Sequence, residues 1–375
     1  MPNSLPKDPI PIVGGGIAGL TTALSLAHRG VACAVYEKAE SFDEVGAGIQ
    51  LSPNATAILR ALGLMESLQQ HAVAPARITI GDGRNGRPLA TIPLGSEAED
   101  RFGAPYLVIH RADLQSVLVA ACEAHPKITI QLGETIDVHN PEHLVIAADG
   151  VHSDWRALLR NPSHKRFSGY VAWRTTEPVE VPDANPQTHV WLGPGAHLVD
   201  YPISAGKARN LVAIALADDP RPIRANPVGL LAKAFEGWDA GIRERLKAQS
   251  NWTPWPLFGV DPGEPWVNDH VALVGDAAHA MLPFVAQGGA MAIEDAWLLA
   301  QMLTSAPQVD QALARYEMAR KPRVTRVWNE AARNGKIYHL TGPAAFARNT
   351  VLKARSGPKL LARFDWLYGW KASET

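Results

Sequence analysis

A chain of 375 residues, 46% hydrophobic and 19% charged, is long enough for two joined domains and too apolar for a disordered tail. Its formal net charge of −1 excludes the electrostatic footprint expected for nucleic acid or an anionic membrane. Only two cysteines occur, Cys33 and Cys122, both in apolar contexts, which reads as buried free thiols of a cytoplasmic protein rather than a disulfide framework.

Ile10, Ile12 and Val13 read as a short buried strand, followed by Gly14-Gly15-Gly16-Ile17-Ala18-Gly19, a G-x-G-x-x-G. Leu20 to Arg29 has the apolar content of a helix ended by Gly30, and Val31 to Tyr36 is a second strand finishing on Glu37. Each part has a physical role in binding a dinucleotide. Gly14 permits the tight turn, Gly16 lets the backbone approach a pyrophosphate, and Gly19 lets helix and strand pack closely. The helix N-terminus offers unpaired N–H groups to phosphate, and Glu37, 18 positions beyond Gly19, suits an adenosine ribose. The alternative is an α/β turn that binds nothing. The three glycines and the following strand also argue against a signal peptide here, and no apolar run reaches the roughly 18 residues of a spanning helix.

Further along, Ser41 to Gln50 reads as a glycine-punctuated loop and Ala55 to Leu62 as a helix. Arg77 to Ile80 and Leu89 to Ile92 alternate around Gly-Asp-Gly and Asn-Gly, which is hairpin chemistry. A helix opens at His110-Arg111-Ala112-Asp113-Leu114 and runs through Ala124; strands follow at Ile128 to Leu132 and Leu144 to Ala148. From Gly169 to about Pro256 strand-like runs dominate, at Tyr170 to Thr175, His189 to Leu192, His197 to Ile203 and Asn210 to Leu216, with a helix near Gly229 to Phe235. Nucleotide-fold character returns at Val271 to Asp276, followed by helices over Gly289 to Leu303 and Val309 to Arg333. The expected organisation is a discontinuous nucleotide domain (1–75, 94–168, 257–345), an inserted sheet domain (76–93, 169–256) and a C-terminal segment (346–375) packing back on the body.

Three signatures now stand in order: Gly14-x-Gly16-x-x-Gly19, Asp149-Gly150-x-x-Ser153-x-x-Arg156 and Gly275-Asp276-Ala277-Ala278-His279. Together the chain resembles the single-component (class A) FAD-dependent aromatic hydroxylases. It resembles salicylate hydroxylase and 3-hydroxybenzoate 6-hydroxylase in particular, through Val45-Gly46-Ala47-Gly48-Ile49-Gln50-Leu51-Ser52-Pro53-Asn54, Pro283-Phe284-Val285-Ala286-Gln287-Gly288 and Asp365-Trp366-Leu367-Tyr368-Gly369. The resemblance implies a Rossmann-like α/β FAD-binding domain of the p-hydroxybenzoate hydroxylase type with an inserted β-sheet-rich substrate domain. It assigns Gly14, Gly16, Ala18, Gly19, Glu37, Lys38, Gly48, Arg111, Gln115, Asp149, Asp276, Pro283, Gly288 and Gly289 to FAD.

Asp276 after an apolar strand can accept hydrogen bonds from ribityl hydroxyls, or simply cap a helix. Arg111 suits phosphate or ribityl oxygens; its alternative is a surface arginine. Arg156 resembles a residue serving FAD and NAD(P)H, and an exposed ion-pair role is its rival. Gly288 and Gly289 can bring N–H groups to the flavin pyrimidine edge. Strand alternation puts His197, Val199 and Tyr201 on one face. By resemblance His197 assists deprotonation of a phenol, Tyr201 hydrogen-bonds the substrate and Gln287 orients it, while His279 reads as structural. A lone strand histidine is otherwise most often a structural hydrogen-bonder. Asp200 stands where relatives carry a polar or basic residue facing the same region, a departure expected to alter substrate charge preference. Relatives also carry a fuller β-meander between Leu132 and Leu144.

The implied activity is a monooxygenase. NAD(P)H reduces FAD, O₂ forms a flavin C4a-hydroperoxide, and its distal oxygen passes to a small aromatic, phenolic or hydroxybenzoate-like. Alternatives are a heteroaromatic hydroxylase or epoxidase of the same fold, a flavoprotein NAD(P)H oxidase or reductase, and a non-catalytic FAD-binding remnant. No metal, nucleic acid or membrane is expected as a partner, and a homodimer stays open.

Overall fold

The computed structural model describes residues 5, 8–42, 47–138, 143–160, 162–219 and 227–371, so Val45 and Gly46 of the first resemblance motif lie outside the described residues. The apolar runs at both ends of the chain meet in one parallel sheet. Its strands are β1 (Ile10–Val13), β2 (Cys33–Glu37), β7 (Ile128–Leu132), β8 (Val145–Ala147) and β14 (Val271–Leu273), in the order β14-β8-β1-β2-β7. Every pairing is parallel. Ile10, Ile12, Val35, Ile146, Val271 and Leu273 are buried, as side chains must be when helices cover both faces. One cover is the helix Ile17–His28, starting at Gly16. It packs on the helix Gly288–Ser305.

The second sheet has seven strands in the order β13-β9-β12-β11-β10-β4-β5. These are β4 (Arg77–Asp82), β5 (Arg87–Pro93), β9 (Arg166–Pro178), β10 (Gln187–Gly193), β11 (Ala196–Ile203), β12 (Ala208–Leu216) and β13 (Thr253–Gly259). The hairpin β4–β5 joins it through a parallel pairing of β4 with β10. Alternation divides each central strand between two faces. On the outer face Leu198, Leu211, Trp173 and Val171 pack with Phe235 and Trp238 beneath the helices Pro227–Ala234 and Ala240–Ala248. The inner face is turned to the parallel sheet.

Three local outcomes differ from the sequence reading. Gly48–Leu51, inside and just beyond the expected loop, is strand β3, paired antiparallel with β6 (Leu107–His110). Strand β13 carries Pro254 and Pro256, which the edge position allows because it pairs with β9 alone. The last long helix runs on to Tyr338, passing through Pro322. Its ring removes one helical N–H, and the facing turn at Met318 is exposed, so water can satisfy the freed carbonyl. Cys33 and Cys122 are buried free thiols. Among the described residues no helix is long and apolar enough to cross a membrane.

Candidate active site

The loop after β1 shows why its glycines sit where they do. Gly14 has φ +99°, and a Cβ there would lie 2.6 Å from the Ala148 carbonyl oxygen. A Cβ on Gly19 would lie 1.9 Å from the Gly14 oxygen. These two are needed for packing. Gly16 differs: its φ is −78° and a Cβ would meet nothing within 4 Å. Open space lies there. Gly15 between them is held at both ends, its N–H donating to Glu37 Oε2 at 2.7 Å and its carbonyl accepting from Gln115 Nε2 at 3.0 Å.

That space belongs to a cavity of about 1050 Å³ between the two sheets, above the roughly 300–1,000 Å³ of ordinary ligand sites. Gly14, Gly16, Ala18, Glu37, Lys38, Gly48, Arg111, Asp149, Asp276, Pro283, Gly288 and Gly289 all line it. Gly19 and Gln115 do not. Gln115 supports the Gly15 turn through its Nε2, while its buried Oε1 has no partner among the described residues. Asp149 accepts from the Asp154 N–H at 3.0 Å through Oδ2, while its buried Oδ1 has no partner among the described residues. Burial pushes its carboxyl above the usual range. Arg156 is buried; it donates to the carbonyls of Ala277 (2.8 Å), Gly150, Val151 and Asp276. It is a clamp between the second and third signatures and neither an exposed ion pair nor a cavity contact. The connection after β7 also contributes, with Glu134 to Val138 along the wall.

At the other end the inner face of the second sheet forms the floor. His197, Val199 and Tyr201 stand side by side on β11, and Val212 and Ile214 stand beside them on β12. His197 Nδ1 is 2.8 Å from His339 Nε2. Burial, then the neighbouring His339, holds the His197 imidazole neutral, well below its ordinary pKa. Burial likewise keeps the Tyr201 phenol protonated. A Cβ on Gly48 would lie 2.5 Å from the Tyr201 ring, and the Gly48 N–H donates to Asn210 Oδ1 at 2.8 Å. Glycine is thus required where β3 meets the floor. Arg174 of β9, absent from the sequence reading, lines the same end; its Nε has no hydrogen-bond partner and the guanidinium makes no ion pair among the described residues.

Two expectations are corrected here. Gln287 is buried and directed away from the cavity, its Oε1 accepting from Asn54 Nδ2 at 3.2 Å and its Nε2 donating to Ser52 Oγ at 2.8 Å. Both ends of its amide are engaged with Asn54 and Ser52, and it does not line the cavity. Asp200 faces outward by alternation, where it binds Arg209, Arg245 (3.4 Å) and His189 (3.5 Å). Burial opposes its ionisation, but His189, Arg209 and Arg245 together hold the carboxyl well below its ordinary range. It cannot set the charge preference of the cavity.

The cavity fits FAD on its own features: an open approach at Gly16, an unpartnered carboxylate oxygen at Asp149, and Asp276 facing the space beside Gly288. The model of an FAD binding domain matches residues 8–143 and 245–331. The chain is 34% identical to 3-hydroxybenzoate 6-hydroxylase of Klebsiella oxytoca, over 96% of each chain. The chain belongs to the FAD-dependent aromatic hydroxylases. This hydroxylase is also 36% identical to 3-amino-4-hydroxybenzoate 2-monooxygenase of Streptomyces cremeus, over 96% of this chain and 94% of that one. Klebsiella pneumoniae HpxO complexed with FAD and uric acid shares its fold, with a TM-score of 0.84 at 24% identity over 96% and 97% of the two chains. A salicylate hydroxylase substrate complex has a TM-score of 0.79 at 23% identity, covering 98% and 97%.

Behind the cofactor loops the hydroxylase carries a buried ionic network. Asp295 Oδ2 accepts from the Gly275 N–H (3.0 Å) and is 2.6 Å from His279 Nε2, and Oδ1 accepts from Arg320 Nε (2.7 Å). Glu294 takes Arg320, Arg323 and Asn54. Arg323 also donates to the carbonyls of Trp366 (3.0 Å) and Leu367 (2.8 Å), which ties down the aromatic C-terminal motif. His279 is held in this network through Asp295.

Proposed function

We propose that this FAD-dependent monooxygenase hydroxylates a small phenolic aromatic bearing an anionic group such as a carboxylate, with NAD(P)H and O₂ as co-substrates. The observation carrying this reading is the convergence of neutral His197, protonated Tyr201 and an ion-pair-free Arg174 on one floor, with Val199, Val212 and Ile214 between them. Two relatives, a 3-hydroxybenzoate 6-hydroxylase and a 3-amino-4-hydroxybenzoate 2-monooxygenase, support it.

FAD, when bound, supplies the redox chemistry and the activated oxygen. The N–H groups at the start of the helix Ile17–His28 would face its diphosphate, Glu37 its adenosine ribose, Asp276 the ribityl chain, and the amides of Gly288 and Gly289 the flavin edge. The apolar floor excludes water and strengthens every polar contact made on it. Arg174 meets the substrate anion, because a half-buried guanidinium facing the cavity with no ion-pair partner is strengthened by a carboxylate placed against it. Tyr201 donates a hydrogen bond. His197 takes the phenolic proton at Nε2, which raises the electron density of the ring that attacks electrophilic oxygen. Base assistance of this kind is worth about 10²–10⁴ in rate.

The test is turnover of purified protein with NADH or NADPH and 3-hydroxybenzoate or 3-amino-4-hydroxybenzoate. The expected outcome is substrate-stimulated NAD(P)H oxidation with a hydroxylated product, slowed about 10²-fold or more in His197→Ala with FAD retained. Arg174→Gln should raise KM for the carboxylated substrate at least about tenfold but leave a neutral phenol unaffected, the size of one lost charged hydrogen bond. Hydrogen peroxide without product would make the protein an oxidase. Equal losses for both substrates would move Arg174 to the cofactor.

A further inference from the structure

Behind His197 lies a second imidazole that the reaction above leaves without a role. His339 follows the helix Val309–Tyr338; the next residue, Leu340, donates its N–H to the Ile337 carbonyl at 3.5 Å, and the His339 carbonyl accepts from Gly195 N–H at 3.3 Å, pinning the helix end to the β10–β11 turn. Its Nε2 lies 2.8 Å from His197 Nδ1, with ring centroids 5.0 Å apart. Its Nδ1 is buried without a partner among the described residues. Two ring nitrogens this close must share a hydrogen, since two facing lone pairs would repel. Placed on His197 Nδ1, that hydrogen leaves Nε2 as a bare lone pair towards the cavity, which is the tautomer a base requires.

We propose that His339 is a positioning residue and proton relay for His197, fixing its tautomer and carrying the phenolic proton outward. The inference rests on the reading of His197 as the base. The substrate O–H bond breaks as an N–H bond forms at His197 Nε2. The Nδ1 proton of His197 passes to His339 Nε2, and the Nδ1 proton of His339 leaves to water, so one proton in all moves from phenol to solvent. Reversal of the same transfers reprotonates the product phenolate on release and restores both tautomers. His339 is 8% exposed against 1% for His197, so it is the member of the pair nearer solvent; its Nδ1 is itself covered, and the last transfer waits on a water reaching that atom. The groups facing the pair are Tyr170 of β9, Phe284, Tyr338, and Arg348 of the helix Gly342–Ala354. Burial and then the Arg348 cation hold His339 down to about 4, so the relayed proton is passed on and not stored.

The test follows proton release with an indicator dye, and bound phenolate by absorbance, as a phenolic ligand mixes with the FAD-loaded protein. In His339→Gln the Oε1 still accepts from His197 Nδ1 and keeps the tautomer, but it cannot pass a proton on. Expected are FAD loading and ligand Kd within about twofold of wild type, with proton release and kcat slowed about tenfold or more. His339→Phe should lose the tautomer as well and bind less phenolate. Wild-type release rates and an unchanged kcat–pH profile in His339→Gln would overturn the proposal, whether or not the phenylalanine variant folds. If His197→Ala is impaired while both His339 variants are normal, the relay alone fails; if His197→Ala is also normal, the reading of the base fails with it.

Discussion

A single methyl group has opposite consequences at two neighbouring glycines. Gly14→Ala forces a side chain into a left-handed backbone and against the Ala148 carbonyl, so the fold is expected to lose about 1–3 kcal/mol in chemical denaturation without FAD. Gly16→Ala meets no protein atom and has ordinary φ, so the FAD-free protein should keep its stability. Its methyl instead occupies the approach to the diphosphate, and FAD affinity measured by fluorescence titration should fall at least about tenfold, roughly the value of one charged hydrogen bond. Such distinctions were partly legible in the chain: the G-x-G-x-x-G placed all three glycines, and strand alternation placed His197, Val199 and Tyr201 on one floor. Arg174 was not legible, because an arginine in a strand most often points to solvent. Nor was His339, whose partner is 142 residues away. Gln287 misled for a related reason: its position was right, but tertiary packing by Ser52 and Asn54 set its direction.

At the scale of elements, the helix Gly288–Ser305 does two things at once. Its first turn lines the cavity at Gly288 and Gly289, and its second holds Glu294 and Asp295 against Arg320. Adjacent acids in a helix ordinarily read as a solvated face, which is why this network escaped sequence reasoning. Burial alone would raise the Asp295 carboxyl, yet His279 and Arg320 hold it down to about 2, from an ordinary 3.8. Because the folded value is depressed, the carboxylate stabilises the fold above pH about 4, and that contribution is lost as pH falls from 4 towards 2. It amounts to on the order of 2 kcal/mol. Urea titrations between pH 2 and 6 should show this acid-side loss in the wild type. Asp295→Asn should lose about 3–5 kcal/mol at neutral pH, leaving Arg320 partly unpaired, and show a flatter acid limb.

Across the whole molecule, the cofactor space is walled by residues from both sheets, so FAD is a structural bridge as well as a reagent. Binding only to the folded form, free FAD at about 100 times its Kd should add roughly 2.7 kcal/mol, seen as a higher Tm for loaded than stripped protein. Protection from hydrogen exchange should rise in the β1 loop and on β11 together. Gains confined to the parallel sheet would mean that the second sheet does not feel the cofactor. The sequence signatures located both walls, while the joint between them, where β3 meets β11 and β12, was hidden in what read as a loop.

Consider finally the outward-facing Asp200, locked to Arg209 and Arg245 beneath the floor. It anchors the backbone of β11 from below, so the side chains above can be exchanged like tiles on a fixed slab. Ile214 and Val212 stand on that slab, away from the glycine loops that cradle the nucleotide. Trimming either would admit a bulkier ring while the cofactor's berth stays intact, which makes the far side of the sheet the reason this scaffold can change its diet.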